Sequence, residues 1–245
     1  MKNNSIKISS VLSIVLLWYL IYIIVDHPLL IPSISTVIQT FFKMLIDLVF
    51  LNAFFHTAIR LIISLVLSSV IGIMFGYFSA KNKSIELWLR PHVTILKTIP
   101  VVSVIIIMYI LFDFQVAPYL ITFFMIFPIF YQATYHGIKA INQDLLDVYH
   151  LEMDHWYLEI KYVYMHNIRD YLILAFYQSF GLGFKVLVTS EFITQTKNSI
   201  GNQLYQAKVN LEYDYVFAIT ILLIIITVLV EVFMAKFKKK MLKDT

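Results

Sequence analysis

KAINQDLLDVYHLEMDHWYLEIKYVYMHNIRD, residues 139–170, is a long polar stretch between two hydrophobic segments, and it decides the fold. From Leu145 to Tyr164 its apolar residues recur every three or four positions, with charged residues and histidines between them. This spacing predicts a pair of amphipathic helices with a bend at residues 153–155. A structured connector of this length usually binds another protein, although periodicity alone also fits a helix pair that only covers a membrane surface.

The composition identifies an integral membrane protein. Apolar residues make up 60% of the chain and charged residues 14%, against about a quarter in soluble domains. The 245 residues have room for about six spans of about 20 residues each and one substantial loop, but not for a soluble catalytic domain. We therefore expect an all-α membrane protein with one transmembrane domain over residues 1–245, whose core covers about residues 50–236.

Six uncharged stretches are candidate spans: Ile8 to Val25, Leu61 to Ala80, Thr98 to Phe112, Phe114 to Ile138, Tyr171 to Phe184 and Tyr215 to Val230. Basic residues cluster in alternate connections and in both tails, at Lys2, Lys7, Lys81, Lys83, Arg90, Lys139, Lys236, Lys238, Lys239 and Lys240. Because basic residues favour the cytoplasmic side, both termini and residues 139–170 are predicted there. The polar stretch then faces a soluble partner in the cytoplasm, and the basic charge indicates orientation, not nucleic-acid binding.

Two features of the remaining segments refine this topology. Pro32 and Ser33 precede apolar residues at helical spacing, which predicts a helix on the opposite membrane surface. The third and fifth spans have short uncharged cores, one bounded by Lys97 and the other interrupted at Lys185. Such spans are poorly suited to contact with lipid on all sides, so we expect them to line an interior path.

The sequence gives no indication of catalysis, metal binding or nucleotide binding. It has no cysteine, its seven histidines show no metal-binding spacing, and no nucleophile, base and orienting acid can be assembled. A phosphate-binding Gly-x-x-x-x-Gly-Lys-Ser/Thr loop does not occur, so ATP is not expected to bind here. We predict no catalytic residue, no metal site and no cofactor. An intramembrane enzyme would need paired acids or a histidine cluster, and a passive channel or scaffold would not need the long helix pair.

Several motifs occur in an order that resembles a known family. They are Leu30-Ile31-Pro32-Ser33, Thr57 with Arg60, Gly72 with Gly76, Leu96-Lys97-Thr98-Ile99-Pro100, Phe127-Pro128-Ile129, Gly181-Leu182-Gly183 with Glu191, Ile200-Gly201 with Ala207, and Asp214-Tyr215-Val216-Phe217-Ala218. Together they resemble the inner-membrane permeases of bacterial ATP-binding-cassette importers, in particular the nitrate, sulfonate and taurine type. The family's loop motif is matched in spacing by Asp147-Val148-Tyr149, but Met153 replaces its glycine and His166 its proline.

The resemblance implies a type I importer permease of the MetI-like fold, with six transmembrane helices and a cytoplasmic coupling helix in residues 139–170. That helix would dock on a partner ATPase through a polar shell around apolar anchors: Asp147, His150, Glu152, Met153, Asp154, His155 and Trp156. Without the glycine the bend needs another turn, and without a proline at His166 the second helix is expected to continue into span five. The implied partners are two ATPase subunits holding Mg-ATP, a second copy or a sister permease, an extracytoplasmic solute-binding protein and the lipid of a bacterial cytoplasmic membrane.

The resemblance also implies a solute path, for which we expect Lys185, Glu191, Pro100 and Pro128. Lys185 either attracts an anionic solute or pairs structurally with Glu191 or an acid of a neighbouring span. Glu191 either holds the dimer or forms part of a gate, and Lys97 extends to the cytoplasmic interface. The expected solute is a small anion such as nitrate, a sulfonate or taurine, and the alternative is a thiamine-precursor pyrimidine.

Overall fold

The computed structural model of the protein describes residues 2–27, 30–142 and 156–241. Every regular element in these residues is a helix. In chain order they are α1 (Lys2–Val25), α2 (Ile34–Ile46), α3 (Leu48–Lys81), α4 (Lys83–Thr98), α5 (Val101–Leu111), α6 (Ala117–Lys139), α7 (Trp156–Leu158) with a π-helical turn (Glu159–Tyr164), α8 (Met165–Thr194), α9 (Ile200–Val209) and α10 (Tyr213–Met241). The predicted all-helical fold is confirmed.

Four helices among the described residues are long and apolar enough to cross a membrane. They are α3, α6, α8 and the Tyr213–Met234 part of α10. Helices α4 and α5 form a fifth candidate that is bent by 103°. The apolar part of α1, Leu12–Val25, is shorter. Six spans therefore remain a prediction for this chain, with four or five candidates of sufficient length.

The break between α4 and α5 follows from the local sequence. Pro100 lacks an N–H and disfavours helical geometry in the residue before it, and Ile99 is extended with φ −65° and ψ 133°. The 11 residues of α5 make a helix of about 16 Å, roughly half the hydrocarbon thickness of a bilayer. The third hydrophobic segment is thus as short as its charge pattern predicts.

The centre of the bundle is the close packing of α3 against α6. A Cβ added at Gly72 would lie 2.6 Å from the Phe130 Cβ, and one at Gly76 would lie 2.7 Å from the Tyr131 carbonyl oxygen. The hydroxyl of Ser68 donates across the same interface to the Phe123 carbonyl at 3.1 Å. The two glycines therefore allow close helix approach, as small residues four apart do in membrane helices.

The far end of the bundle, opposite residues 159–164, shows that the second span is longer than its uncharged stretch. Helix α3 begins at Leu48, not at Leu61, and the side chain of Asp47 caps it by accepting from the Val49 N–H at 3.0 Å. The segment after Ser33 forms a helix as expected, α2, and it packs against α10, where Thr40 donates to Asp214 at 2.6 Å. The uncharged stretch starts at Leu61 only because Arg60 precedes it, whereas residues 48–59 are also largely apolar and the Asp47 cap sets where the helix begins.

The fifth hydrophobic segment is likewise longer than its uncharged core. Helix α8 runs from Met165 to Thr194 and includes Lys185. The helix that begins at Trp156 continues through His166 without a break, as expected from the absence of a proline there. Motion of the second loop helix would consequently pass directly into α8.

Candidate functional site

The far end of the bundle contains a buried ion pair between α3 and α8. The Arg60 Nη1 donates to the Glu191 carboxylate at 3.2 Å, and the Thr57 hydroxyl donates to the same group at 3.0 Å. The first turn of α9 completes the cluster, because the Gly201 N–H donates to Glu191 at 3.3 Å and the Ile200 N–H donates to the Thr57 oxygen at 3.0 Å. A Cβ added at Gly201 would clash with the Glu191 Cβ, so only glycine permits this approach.

The guanidinium of Arg60 also holds two loops. Its Nη1 donates to the Asn198 carbonyl at 3.1 Å, and its Nη2 donates to the Lys197 carbonyl at 3.2 Å and to the Gln115 Oε1 at 3.1 Å. Gln115 lies in the turn between α5 and α6, and residues 195–199 connect α8 to α9. We call this set, Arg60, Glu191, Thr57, Gln115 and the residues 197–201 that they bind, the Arg60 network.

The Arg60 network is internal to one chain. Glu191 is fully buried and Arg60 is 6% exposed. A charge at that depth is tolerated when it is paired and hydrogen-bonded, and here the two charges are paired while both Nη groups of Arg60 and the Glu191 carboxylate have hydrogen-bond partners. From the sequence, Arg60 was a family landmark only, and its pairing with Glu191 was not predicted. An arginine inside an apolar helix requires an acid from another helix, and this signal could have indicated it.

Lys185 does not pair with Glu191, so that structural alternative is wrong. Its side chain is exposed on the outward face of α8 and forms no ion pair with any described residue. It lines a groove of about 560 Å³ between α8, α9 and α10, together with Gly181, Phe184, Val188, Thr189, Leu204, Thr220, Leu223, Ile224, Thr227 and Val228. At the centre of a membrane an unpaired ammonium group costs about 2.5–3.5 kcal/mol, which favours an aqueous or protein-covered setting for this face.

The four residues expected along the solute path do not line one cavity in a single copy of the chain. Lys185 lines the α8–α10 groove, whereas Glu191 belongs to the Arg60 network. Pro100 is exposed at the start of α5, and Pro128 is buried within α6.

A second cavity, of about 350 Å³, lies between α4 and α6. It is lined by Glu86, Arg90, Val93, Thr94, Tyr131, Gln132, Tyr135 and His136. Beside it, the Lys97 ammonium donates to the Gln132 Oε1 at 3.1 Å. The rings of Phe123, Phe127, Tyr131 and Tyr135 succeed one another along α6 with centroid separations of 5.9, 6.2 and 6.1 Å. Of these rings, Tyr131 and Tyr135 line the cavity, which therefore combines charged groups with two stacked aromatic rings.

The other end of the bundle shows where the loop helix joins the spans. The Lys81 ammonium at the end of α3 lies 3.0 Å from the Glu159 carboxylate and 4.5 Å from the ring centre of Tyr164. The Tyr164 hydroxyl donates to Glu159 at 2.6 Å. Burial and the neighbouring carboxylate raise the pKa of Tyr164 above its usual value, so the phenol stays a donor at physiological pH. Residues 159–164 and the α3–α4 turn therefore lie at one end of the bundle.

Most residues expected at the ATPase contact lie outside the described residues. These are Asp147, His150, Glu152, Met153, Asp154 and His155. Trp156 is the first residue of α7. Their role in the contact remains a prediction.

Comparison with known proteins identifies the family of the chain. Residues 72–243 match the model of a family described as the binding-protein-dependent transport system inner membrane component. The chain belongs to this family. The permease is also similar to the putative aliphatic sulfonates transport permease protein SsuC of Bacillus subtilis, with 24% identity over 214 residues, which cover 86% of the permease and 77% of that protein.

Family membership confirms several expectations. The permease is the membrane-spanning component of an ATP-binding-cassette transport system and is a transport protein, not an enzyme. Such a system includes an ATPase and a solute-binding protein, as the resemblance implied. The permease is located in the inner membrane.

Proposed function

We propose that the permease imports a small organic sulfonate or a similar anion across the bacterial cytoplasmic membrane. Two ATPases drive the transport, and an extracytoplasmic solute-binding protein delivers the solute. The observation that carries this proposal is the Lys185 ammonium group in the α8–α10 groove, with no acidic partner among the described residues. The sulfonate permease among the relatives supports the same class of solute.

The face that carries Lys185 is unsuited to lipid. Gln178 and Thr189 lie on the same outward face of α8 and are exposed. Helix α5, which packs beside α8 through Val186, is too short to cross a bilayer alone. Polar groups at membrane depth occur where protein or a water-filled cavity covers them. A homodimer, or a heterodimer with a sister permease, would cover this face and place the solute path between the two chains.

Uptake by Lys185 variants tests the solute class. In proteoliposomes containing the permease, its ATPases and its binding protein, Lys185→Met should raise the KM for an alkanesulfonate about tenfold or more, because a charged hydrogen bond is lost. Lys185→Arg keeps the charge and should retain most of the uptake. Lys43→Met, an exposed position on α2, is the matched control. Unchanged sulfonate uptake by Lys185→Met would contradict the proposal.

The α4–α6 cavity favours a second candidate solute. Its aromatic wall, which includes Tyr131 and Tyr135, suits the ring of a thiamine-precursor pyrimidine. Uptake of such a pyrimidine, insensitive to Lys185→Met and reduced by Tyr131→Ala, would favour this candidate over an anion.

Coupling to the ATPases is proposed to run through residues 139–170. The helix from Trp156 continues into α8, and Glu159 is fixed to α3 through Lys81. Movement of a docked loop helix would therefore tilt the helix that bears Lys185. Changing Asp147 to Lys and Trp156 to Ala should abolish co-purification of the ATPase subunit. Solute flux that persists without any ATPase would instead indicate a channel.

Orientation can be tested by single cysteines, because the chain contains none. We propose that both termini and the 139–170 segment are cytoplasmic. Lys83→Cys, beside the end of α3, should then react with an impermeant maleimide only in inside-out vesicles, and Lys43→Cys only in right-side-out cells. The reverse labelling pattern would invert the proposed topology.

A further inference from the structure

The Arg60 network fixes the position of α9, and α9 covers part of the groove that holds Lys185. Leu204 of α9 lines that groove together with Lys185 of α8. Four residues earlier, the first turn of α9 is bound to Thr57 and Glu191 through the N–H groups of Ile200 and Gly201. The contacts that hold the start of α9 therefore also determine where Leu204 lies relative to Lys185.

The same network joins the other helix beside this face. Gln115, in the turn after α5, accepts from the Arg60 Nη2 at 3.1 Å. In the same region the Thr196 hydroxyl donates to the Phe114 carbonyl at 2.8 Å. The Arg60 guanidinium thus links α3 with the turn after α5 and with the segment between α8 and α9. The distance between α5 and α9 at the far end of the bundle therefore depends on the Arg60 guanidinium.

Helix α9 is flanked by backbone that needs support. Gln195 and Asn198, before α9, have φ values of 52° and 49°, and Leu211, after it, has φ 61°. Left-handed geometry is unfavourable for residues other than glycine and persists where surrounding contacts hold it. The Arg60 guanidinium supplies such a contact at the Asn198 carbonyl. Segments of this kind are suited to act as hinges when those contacts are released.

We propose that Arg60 is a positioning residue for transport, and that its network holds α9 as the closed gate at the extracytoplasmic end of the Lys185 groove. This inference rests on the proposed function for the direction of transport and for the role of the groove. Transport would require the network to loosen when the solute-binding protein docks, so that α9 moves away from α8. With the network weakened, the gate should open without ATP hydrolysis.

Passive efflux of solute from proteoliposomes reports directly whether the gate is open. Proteoliposomes containing the full complex are loaded with radiolabelled ethanesulfonate and, separately, with neutral erythritol, and efflux is followed without ATP. Gln115→Ala removes one partner of Arg60 and leaves the Arg60–Glu191 pair in place. Loss of one hydrogen bond to a charged group should raise the leak about tenfold. Gln206→Ala, the same chemical change at an exposed position on α9, should leak as the wild type does.

A second pair of variants separates the hydroxyl from the side-chain volume. Thr57→Val removes the donor to Glu191 and the acceptor for the Ile200 N–H at nearly constant volume. Thr57→Ser retains the hydroxyl. The proposal expects leak from Thr57→Val and rescue by Thr57→Ser, while the purified complex still assembles and its basal ATP hydrolysis stays near the wild-type value.

Other outcomes would overturn the gate proposal. Wild-type leak from folded Gln115→Ala and Thr57→Val complexes would show that the network does not control the gate. Equal leak from Gln206→Ala would show that the effect is not specific to the network. Failure of both network variants to assemble, with Thr57→Ser and Gln206→Ala intact, would assign the network to folding alone. If the wild type imports no sulfonate, the proposed solute class is wrong, yet erythritol leak still tests the gate.

Discussion

The contact between α3 and α6 allows a sharp test of the packing. In Gly76→Ala the new methyl carbon would lie 2.7 Å from the Thr134 Cβ and 2.7 Å from the Tyr131 carbonyl oxygen. Non-bonded carbon atoms normally approach to about 3.5–4.0 Å, so the two helices must separate by about 1 Å. The obstacle on α6 is a backbone atom and a Cβ, and neither can move aside by rotating a side chain.

The loss in the free energy of unfolding caused by Gly76→Ala can be estimated from this geometry. Overpacking typically lowers stability by about 1–3 kcal/mol, and replacing glycine by alanine in a helix returns about 0.8–1.0 kcal/mol of helix propensity. Separation also lengthens the 3.1 Å hydrogen bond from Ser68 to the Phe123 carbonyl. An interhelical bond of this kind contributes about 0.6 kcal/mol in membrane proteins. We therefore expect Gly76→Ala to lower the free energy of unfolding by about 0.6–2.8 kcal/mol.

Thermal unfolding of the detergent-purified permease is the assay. A loss of this size should lower the melting temperature by roughly 2–4 °C per kcal/mol. Gly181→Ala is the matched control, since its Cβ would meet only the Thr227 Cγ2, at an ordinary 3.8 Å. That variant should melt at or slightly above the wild-type temperature. Equal melting temperatures for Gly76→Ala and Gly181→Ala would refute the proposed role of close α3–α6 packing.

Two further predictions concern the polar contacts at each end of the bundle. Arg60→Met and Glu191→Met should each destabilise the permease by about 3–5 kcal/mol, because each leaves an unpaired buried charge, and the double variant should be less destabilised than either single one. If the double variant lost as much melting temperature as the sum of the two single variants, the result would contradict pairing between Arg60 and Glu191. Tyr164→Phe removes the 2.6 Å hydrogen bond to Glu159 and keeps the ring. Its expected cost is about 0.5–1.5 kcal/mol, accompanied by faster hydrogen exchange in residues 159–164, and unchanged exchange there would argue against it.

Local features of the chain were predictable because their causes are local. Pro100 ends α4 wherever the helix lies, since the restriction acts on the residue before proline. The absence of proline at His166 lets one helix run into the next, and the spacing of Gly72 and Gly76 indicates a face for close approach. The family motifs follow from the same residues. Each of these features has a cause in the adjacent residues and does not depend on which helices are neighbours.

Ion pairing between helices was not predictable from spacing. Glu191 lies six residues after Lys185, so the two side chains point to different faces of α8, since neighbours on a helix face are three or four residues apart. The partner of Glu191 is Arg60, which is 131 positions away. That contact depends on the rotation and depth of α3 relative to α8.

The sequence by itself determined the class of protein, the helical segments, the polar connector at residues 139–170 and the membership of a permease family, because hydropathy, periodicity and motif order are properties of the chain. The tertiary structure alone decided that Arg60 pairs with Glu191, that Lys185 lines a groove without an acid among the described residues, and that the first turn of α9 is bound to Thr57 and Glu191. Charges in a low-dielectric interior are stabilised only by groups within a few ångströms, and only the packed helices determine which groups those are.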